Sequence, residues 1–146
     1  MRRSLAVLIA LAVMALAACS SAEPELTQPT PEGPVAADCQ HVMAALPETV
    51  AGAQRTQLDQ NVAAWGHPRI SLRCGVQPPA GLGPTSRCDE VNGIGWFAEE
   101  PGTETEGAWR FTTIGRRGHV EVIVPDQYEP ASDALVDLAR ACLLYT

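Results

Sequence analysis

Residues 108–125 read Ala-Trp-Arg-Phe-Thr-Thr-Ile-Gly-Arg-Arg-Gly-His-Val-Glu-Val-Ile-Val-Pro. Residues 108–114 and 119–124 form two β-prone runs around Gly115-Arg116-Arg117-Gly118, and the glycines suit the positive-φ positions of a hairpin turn. Val120, Val122 and Val124 fall on one side and His119, Glu121 and Ile123 on the other, the period of a half-buried strand, which Pro125 ends. Upstream, residues 61–65 and 69–75 predict two more strands around Gly66-His67-Pro68, with Ile70, Leu72 and Cys74 alternating against Arg69, Ser71 and Arg73. A further strand is expected over 93–98. The polar stretch 47–60, the Gly/Pro-rich stretch 77–87 and the acidic stretch 99–107 read as irregular. Asp38 is the expected N-cap of a short helix reaching Leu46 and stopped by Pro47. Ser132 is the expected cap of a last helix to about Leu144, with Leu135, Leu138, Ala139 and Cys142 on one stripe. The expectation is an α+β fold: an antiparallel sheet of four or five strands with N- and C-terminal helices packed on it.

The start of the chain carries an address. Arg2 and Arg3 precede an uncharged apolar run, residues 5–18, that ends in Leu16-Ala17-Ala18-Cys19. The run has the length of a secretory h-region and falls short of the roughly 20 residues that span a bilayer. Charge, apolar run, small residues and cysteine come in the order of a lipobox. Residues 1–18 are therefore expected to be removed as a lipoprotein signal peptide, and Cys19 to carry lipid that holds the protein at the extracytoplasmic face of the cell membrane. Residues 19–37 hold four prolines and little apolar bulk. They are expected to be a disordered tether, reaching roughly 50 Å at about 3.1 Å per residue. Residues 38–146 then make up the globular domain.

Charge narrows the partners. Without Arg2 and Arg3, the ten basic residues fall to eight against seventeen acids, a formal charge of −9 with no lysine. A chain of that sign is poorly suited to nucleic acid, whose binding depends on cations neutralising phosphates, or to lying flat on anionic lipid.

Four cysteines follow Cys19, and in an exported domain an even count reads as two disulfides with three possible connectivities. Cys74–Cys88 and Cys39–Cys142 are the expected pairs. The first closes the Gly/Pro loop and the second ties the first helix to the last, for roughly 3 and roughly 4.7 kcal/mol on a chain-entropy estimate. A metal site from Cys39, His41, Cys74 and Cys88 would lack any Cys-x-x-Cys pair, so no metal is expected. No cofactor motif is present either.

The order of several blocks resembles a known family. Cys39 with Leu46-Pro47 is followed by Ala63-Ala64-Trp65-Gly66-His67-Pro68 and Leu72-Arg73-Cys74-Gly75-Val76. Then come Cys88 with Val91-Asn92-Gly93-Ile94-Gly95-Trp96, and Gly115-Arg116 with Val120-Glu121-Val122 before Pro125. This series is similar to the DUF3515 family of actinobacterial lipoproteins and membrane-anchored proteins. The resemblance implies a place in the cell envelope and brings no catalytic residues with it.

Four residues are candidates for binding. Trp65, beside the Gly-His-Pro turn, would stack on a sugar or an aromatic group if exposed, or anchor the core if not. Arg73, Arg116 and Arg117 would hold an anion if the two hairpins brought them together, or pair with surface carboxylates if not. The acids at 99, 100, 104 and 106 lack the spacing of a calcium loop. Serines and histidines are present without a nucleophile elbow or a Ser-x-x-Lys motif. The sequence therefore points to a non-catalytic binding or accessory module whose partner is an envelope protein or a cell-wall component. The alternatives are a cell-wall hydrolase or transferase with an unrecognised site, and a small anion-binding protein.

Overall fold

The computed structural model describes residues 25–102 and 107–144. The signal segment 1–18, the lipobox Cys19, Glu104 and Glu106 lie outside the described residues. The chain order is α1 (Gly33–Ala44), β1 (Thr49–Val50), β2 (Ala53–Leu58), β3 (Val62–Trp65), β4 (Ile70–Cys74), β5 (Cys88–Val91), β6 (Ile94–Glu99), β7 (Ala108–Thr113), β8 (Val120–Pro125), a 3-10 turn (Asp126–Tyr128) and α2 (Ser132–Leu143). The strands form a single antiparallel sheet in the order β1-β2-β3-β4-β8-β7-β6-β5. Two four-stranded meanders thus meet through their last strands, with Leu72 opposite Val122 and Arg73 opposite Glu121.

The α+β class stands, but the sheet has eight strands rather than four or five. The five expected strands are β3, β4, β6, β7 and β8. The three additional ones sit at the two ends of the sheet order, where side chains face water. In β2 only Ala53 is buried, and in β5 Cys88, Asp89 and Glu90 are all exposed. Backbone pairing with an inner neighbour, not an apolar side-chain pattern, makes these segments strands.

Alternation sorts the two faces. Ile70, Leu72, Cys74, Val120, Val122 and Val124 lie beneath the helices and are fully buried. Val42 and Met43 of α1 cover them, as do Leu135, Leu138, Ala139 and Cys142 of α2, the stripe expected from the sequence. At the β3–β4 turn, Gly66 has φ +68°, and a Cβ there would fall 2.2 Å from the Tyr128 hydroxyl. That hydroxyl donates to the Pro68 carbonyl at 2.8 Å.

Helix α1 starts six residues earlier than expected. Glu32 stands at its N-cap without a side-chain hydrogen bond, and Pro34 occupies the first turn, where its missing N–H costs nothing. Asp38 is mid-helix. The segment before the helix rests against the sheet, with Gln28 and Pro29 hydrogen-bonded to Asn61. Ala131, not Ser132, is the N-cap of α2, again without a side-chain cap.

Both expected disulfide pairings are wrong. Cys39 bonds Cys74, with Cα atoms 5.6 Å apart, while Cys88 is free and exposed and Cys142 free and buried. Helix α1 crosses the end of β4 and brings Cys39 over Cys74. Cys88, at the start of edge strand β5, shares the face opposite the helices with Phe97.

The bridge closes 35 residues, worth about 4 kcal/mol on the chain-entropy estimate. The double substitution Cys39→Ala/Cys74→Ala is expected to lower the urea-unfolding free energy by about that amount. The same shift should follow reduction of the parent protein by dithiothreitol.

Candidate functional site

Residues 27–32 form a strap along the side of the sheet where β4 ends and β8 begins. The buried Asn61 holds it twice: its backbone N–H donates to Gln28 Oε1 at 3.1 Å, and its Nδ2 donates to the Pro29 carbonyl at 3.1 Å. Further along, Pro31 lies so close to Gly75 that a Cβ on Gly75 would come within 2.6 Å of it. Gly75 and Val76 both donate their amides to the His119 carbonyl, so β8 fixes the turn on which the strap rests.

Three open clefts of about 420–470 Å³ flank the strap. One is lined by Pro31, Glu32, Val35, Gln77 and His119. His119 Nδ1 lies 2.7 Å from the Thr113 carbonyl, which only accepts, so Nδ1 is the donor in that hydrogen bond. A second cleft is lined by Thr27, Gln28, Thr30, Gln77, Arg73 and Glu121. A third lies beside Asp59 and Asn61. Hydroxyls, amides and one ion pair line the second cleft, a set suited to hydrogen-bonding a polar ligand.

The ion pair is the electrostatic centre of that cleft. Arg73 donates from Nε to Glu121 Oε1 at 2.8 Å and from Nη2 to Oε2 at 3.2 Å, a fork-on-carboxylate geometry. Arg110 Nε stands 3.6 Å from Oε2. The Glu121 side chain is 9% exposed, against 29% for Arg73 and 24% for Arg110. Register explains the arrangement: Arg73 and Glu121 are directly opposite on β4 and β8, and Thr112, two residues from Arg110 on the same face of β7, is opposite Glu121 from the other side. All lie on the sheet face away from the helices. Next in the row is Glu99, opposite Arg110, and both Glu99 Oε2 and Arg110 Nε are buried without a hydrogen-bond partner.

The structure separates the four residues expected to bind. Trp65 is fully buried and donates Nε1–H to the Pro47 carbonyl at 3.0 Å, so it is a core anchor and offers no stacking surface. Arg73 lines the second cleft. Arg116 and Arg117 stand in the β7–β8 turn. Arg117 donates to Asp38 Oδ2 of α1 from Nη2 at 2.9 Å and from Nε at 3.2 Å, toward the helix layer. Arg73 and Arg117 therefore serve opposite sides of the sheet and do not converge on one anion. Sequence reading missed Glu121, although it stands between two buried valines just as Arg73 stands between Leu72 and Cys74. Nothing in the sequence marked Gln28 and Asn61, which meet across 33 residues.

With Cys39 and Cys74 joined, the candidate metal set is dissolved, and among the described residues no cluster of three His, Cys, Asp or Glu could hold a metal ion. No described helix is long and apolar enough to cross a membrane. Burial pushes the Cys142 thiol up from 9.0 to about 12, with Arg116 opposing the rise. A folded thiol with a raised pKa stabilises the fold below about pH 9, and that contribution is lost as pH climbs toward 12.

Two outcomes follow. At pH 8, a thiol reagent applied to the native protein should modify Cys88 and spare Cys142, and unfolding should expose Cys142; peptide mapping separates the two. Arg73→Ala leaves a mostly buried carboxylate with only its longer contact and should cost about 1–3 kcal/mol in urea unfolding, because Arg73 is partly solvated. Adding Glu121→Leu should recover part of that loss, since it removes the stranded buried charge.

No curated protein and no solved structure matches the chain. A family model does, over residues 4–142, nearly the whole length, under the description of a protein of unknown function. The chain belongs to the DUF3515 family.

Proposed function

We propose that this is an exported lipoprotein of the cell envelope, anchored through Cys19 to the extracytoplasmic face of the cell membrane, where it acts as a non-catalytic binding or accessory module. Its contact is a cell-wall component or another envelope protein, taken up at the cleft of Arg73, Glu121, Gln28 and Gln77. The observation that carries the reading is the strap. The segment that leaves the lipobox is docked beside the cleft with the most polar chemistry. Eight Cα-to-Cα steps separate Cys19 from Thr27, where the strap begins. At no more than about 3.6 Å each, they keep the strap within roughly 29 Å of the lipidated residue, in place of the 50 Å reach of a longer tether. The cleft then opens near the membrane.

A second reading, a small anion-binding protein, has one observation in its favour: Arg73, whose side chain is 29% exposed, lines the cleft.

A photo-reactive residue placed at exposed Gln77 in living cells tests the module reading, with one at exposed Asp133 on α2 as control. Gln77 is expected to capture one envelope component, with capture lost on Arg73→Ala, while Asp133 captures none. Cys19→Ala is expected to move the protein from the detergent phase to the aqueous phase on partition. Equal capture at both positions, no capture at either, or a mature chain with unmodified Cys19 overturns the proposal.

A further inference from the structure

The sheet ends in two strands of unequal character. β1 has two residues, whereas β5 has four, and among the described residues nothing pairs with its outer side. An antiparallel edge leaves every second N–H and C=O pointing outward, a template for another extended chain. Along β5, Cys88, Asp89 and Glu90 are exposed, so among the described residues no loop covers that template.

The charges around the edge have one sign. Asp89 pairs with Trp96 and so belongs to the helix side, while Glu90 pairs with Gly95 and belongs to the opposite face. A strand added here would meet a carboxylate on each of its own faces. Between residues 87 and 100, one arginine stands against four acids. At the other end of the edge, Leu143 packs against the β5–β6 turn at Gly93 yet stays 48% exposed, and Leu144 is 56% exposed. The edge thus runs from acids to a small apolar shoulder.

From these features we infer that the outer edge of β5 is a docking surface for an extended, basic segment of another protein, which adds as a ninth strand. Its cationic side chains lie over Asp89 and Glu90, and an apolar one meets Val91 and Leu143. A second copy of this chain is a poor occupant, since antiparallel β5–β5 pairing would set acids against acids on both faces. The surface is separate from the Arg73–Glu121 cleft and does not depend on it.

The test uses the full chain in neutral detergent and a capped hexapeptide of four central arginines between terminal valines, which carries cations on both faces of the added strand, followed by fluorescence anisotropy and by hydrogen exchange of the β5 amides. Two derivatives carry N-methyl groups on alternate residues, one in each frame. Binding is expected to slow exchange in β5. One methylated frame should bind about tenfold or more weakly while the other matches the parent, because only one frame needs its N–H groups for the sheet. The exposed-site substitution Asp89→Lys/Glu90→Lys should also weaken binding about tenfold. No binding, or both methylated frames binding like the parent, overturns the inference: the first makes the acids a guard against pairing, and the second makes the attraction charge alone. Neither result bears on the strap-side cleft, whose own test is capture at Gln77.

Discussion

The pairing of β4 with β8 is the constraint on which the rest of the structure depends. Each meander alone would be a four-stranded ribbon with an open edge, and joining their last strands turns two edges into the middle of a sheet. Four consecutive register pairs do this, and each side of the ladder has its own work. Beneath the helices, Leu72 meets Val122 and Cys74 meets Val120, the apolar floor of the core. On the other face, Arg73 meets Glu121, so the pairing that buries the valines also buries a carboxylate and supplies its counterion. A slip of one residue would set Arg73 against a valine and put Glu121 under the helices.

The same ladder organises its own end. Cys74 is the last residue of β4 and takes the bridge to α1, while Gly75 and Val76, the next two residues, bond to β8 and form the bed for Pro31. Helix, strap and sheet are therefore fastened within three residues of one another. A pull on the N-terminus would be borne first by the two Asn61 hydrogen bonds and then by the covalent Cys39–Cys74 bridge. Under the proposed anchoring through Cys19, the weak contacts would yield before the core is loaded.

The two proposed interaction surfaces differ in physical kind. The strap-side cleft is concave and holds a paired charge that is largely desolvated, so a ligand there competes with existing hydrogen bonds and selectivity comes from fit. The β5 edge is open and acidic, and what it offers is backbone groups and a long-range field. They lie at different places on the sheet, one at the end of the central strands and one along an outer edge.

Periodicity carried most of the architecture. The five inner strands, the two helices and the stripe on α2 were legible because burial imposes a repeat on apolar side chains. The strands β1, β2 and β5 were not, since strands toward the ends of the sheet bury few side chains and are held by backbone hydrogen bonds that leave no mark on residue type. Arg73 was legible as an oddity between apolar neighbours, but its partner depends on register, and register is a property of two strands at once. The cysteines show the division most sharply. Four of them allow three sets of pairs, and chain distance favoured closing the Gly/Pro loop. The bond forms instead between Cys39 and Cys74, because α1 lies across the end of β4. Which residues are apolar, charged or turn-forming was written in the chain; which of them meet was decided only when helix and strands packed, because contact between distant residues is set by the three-dimensional path between them.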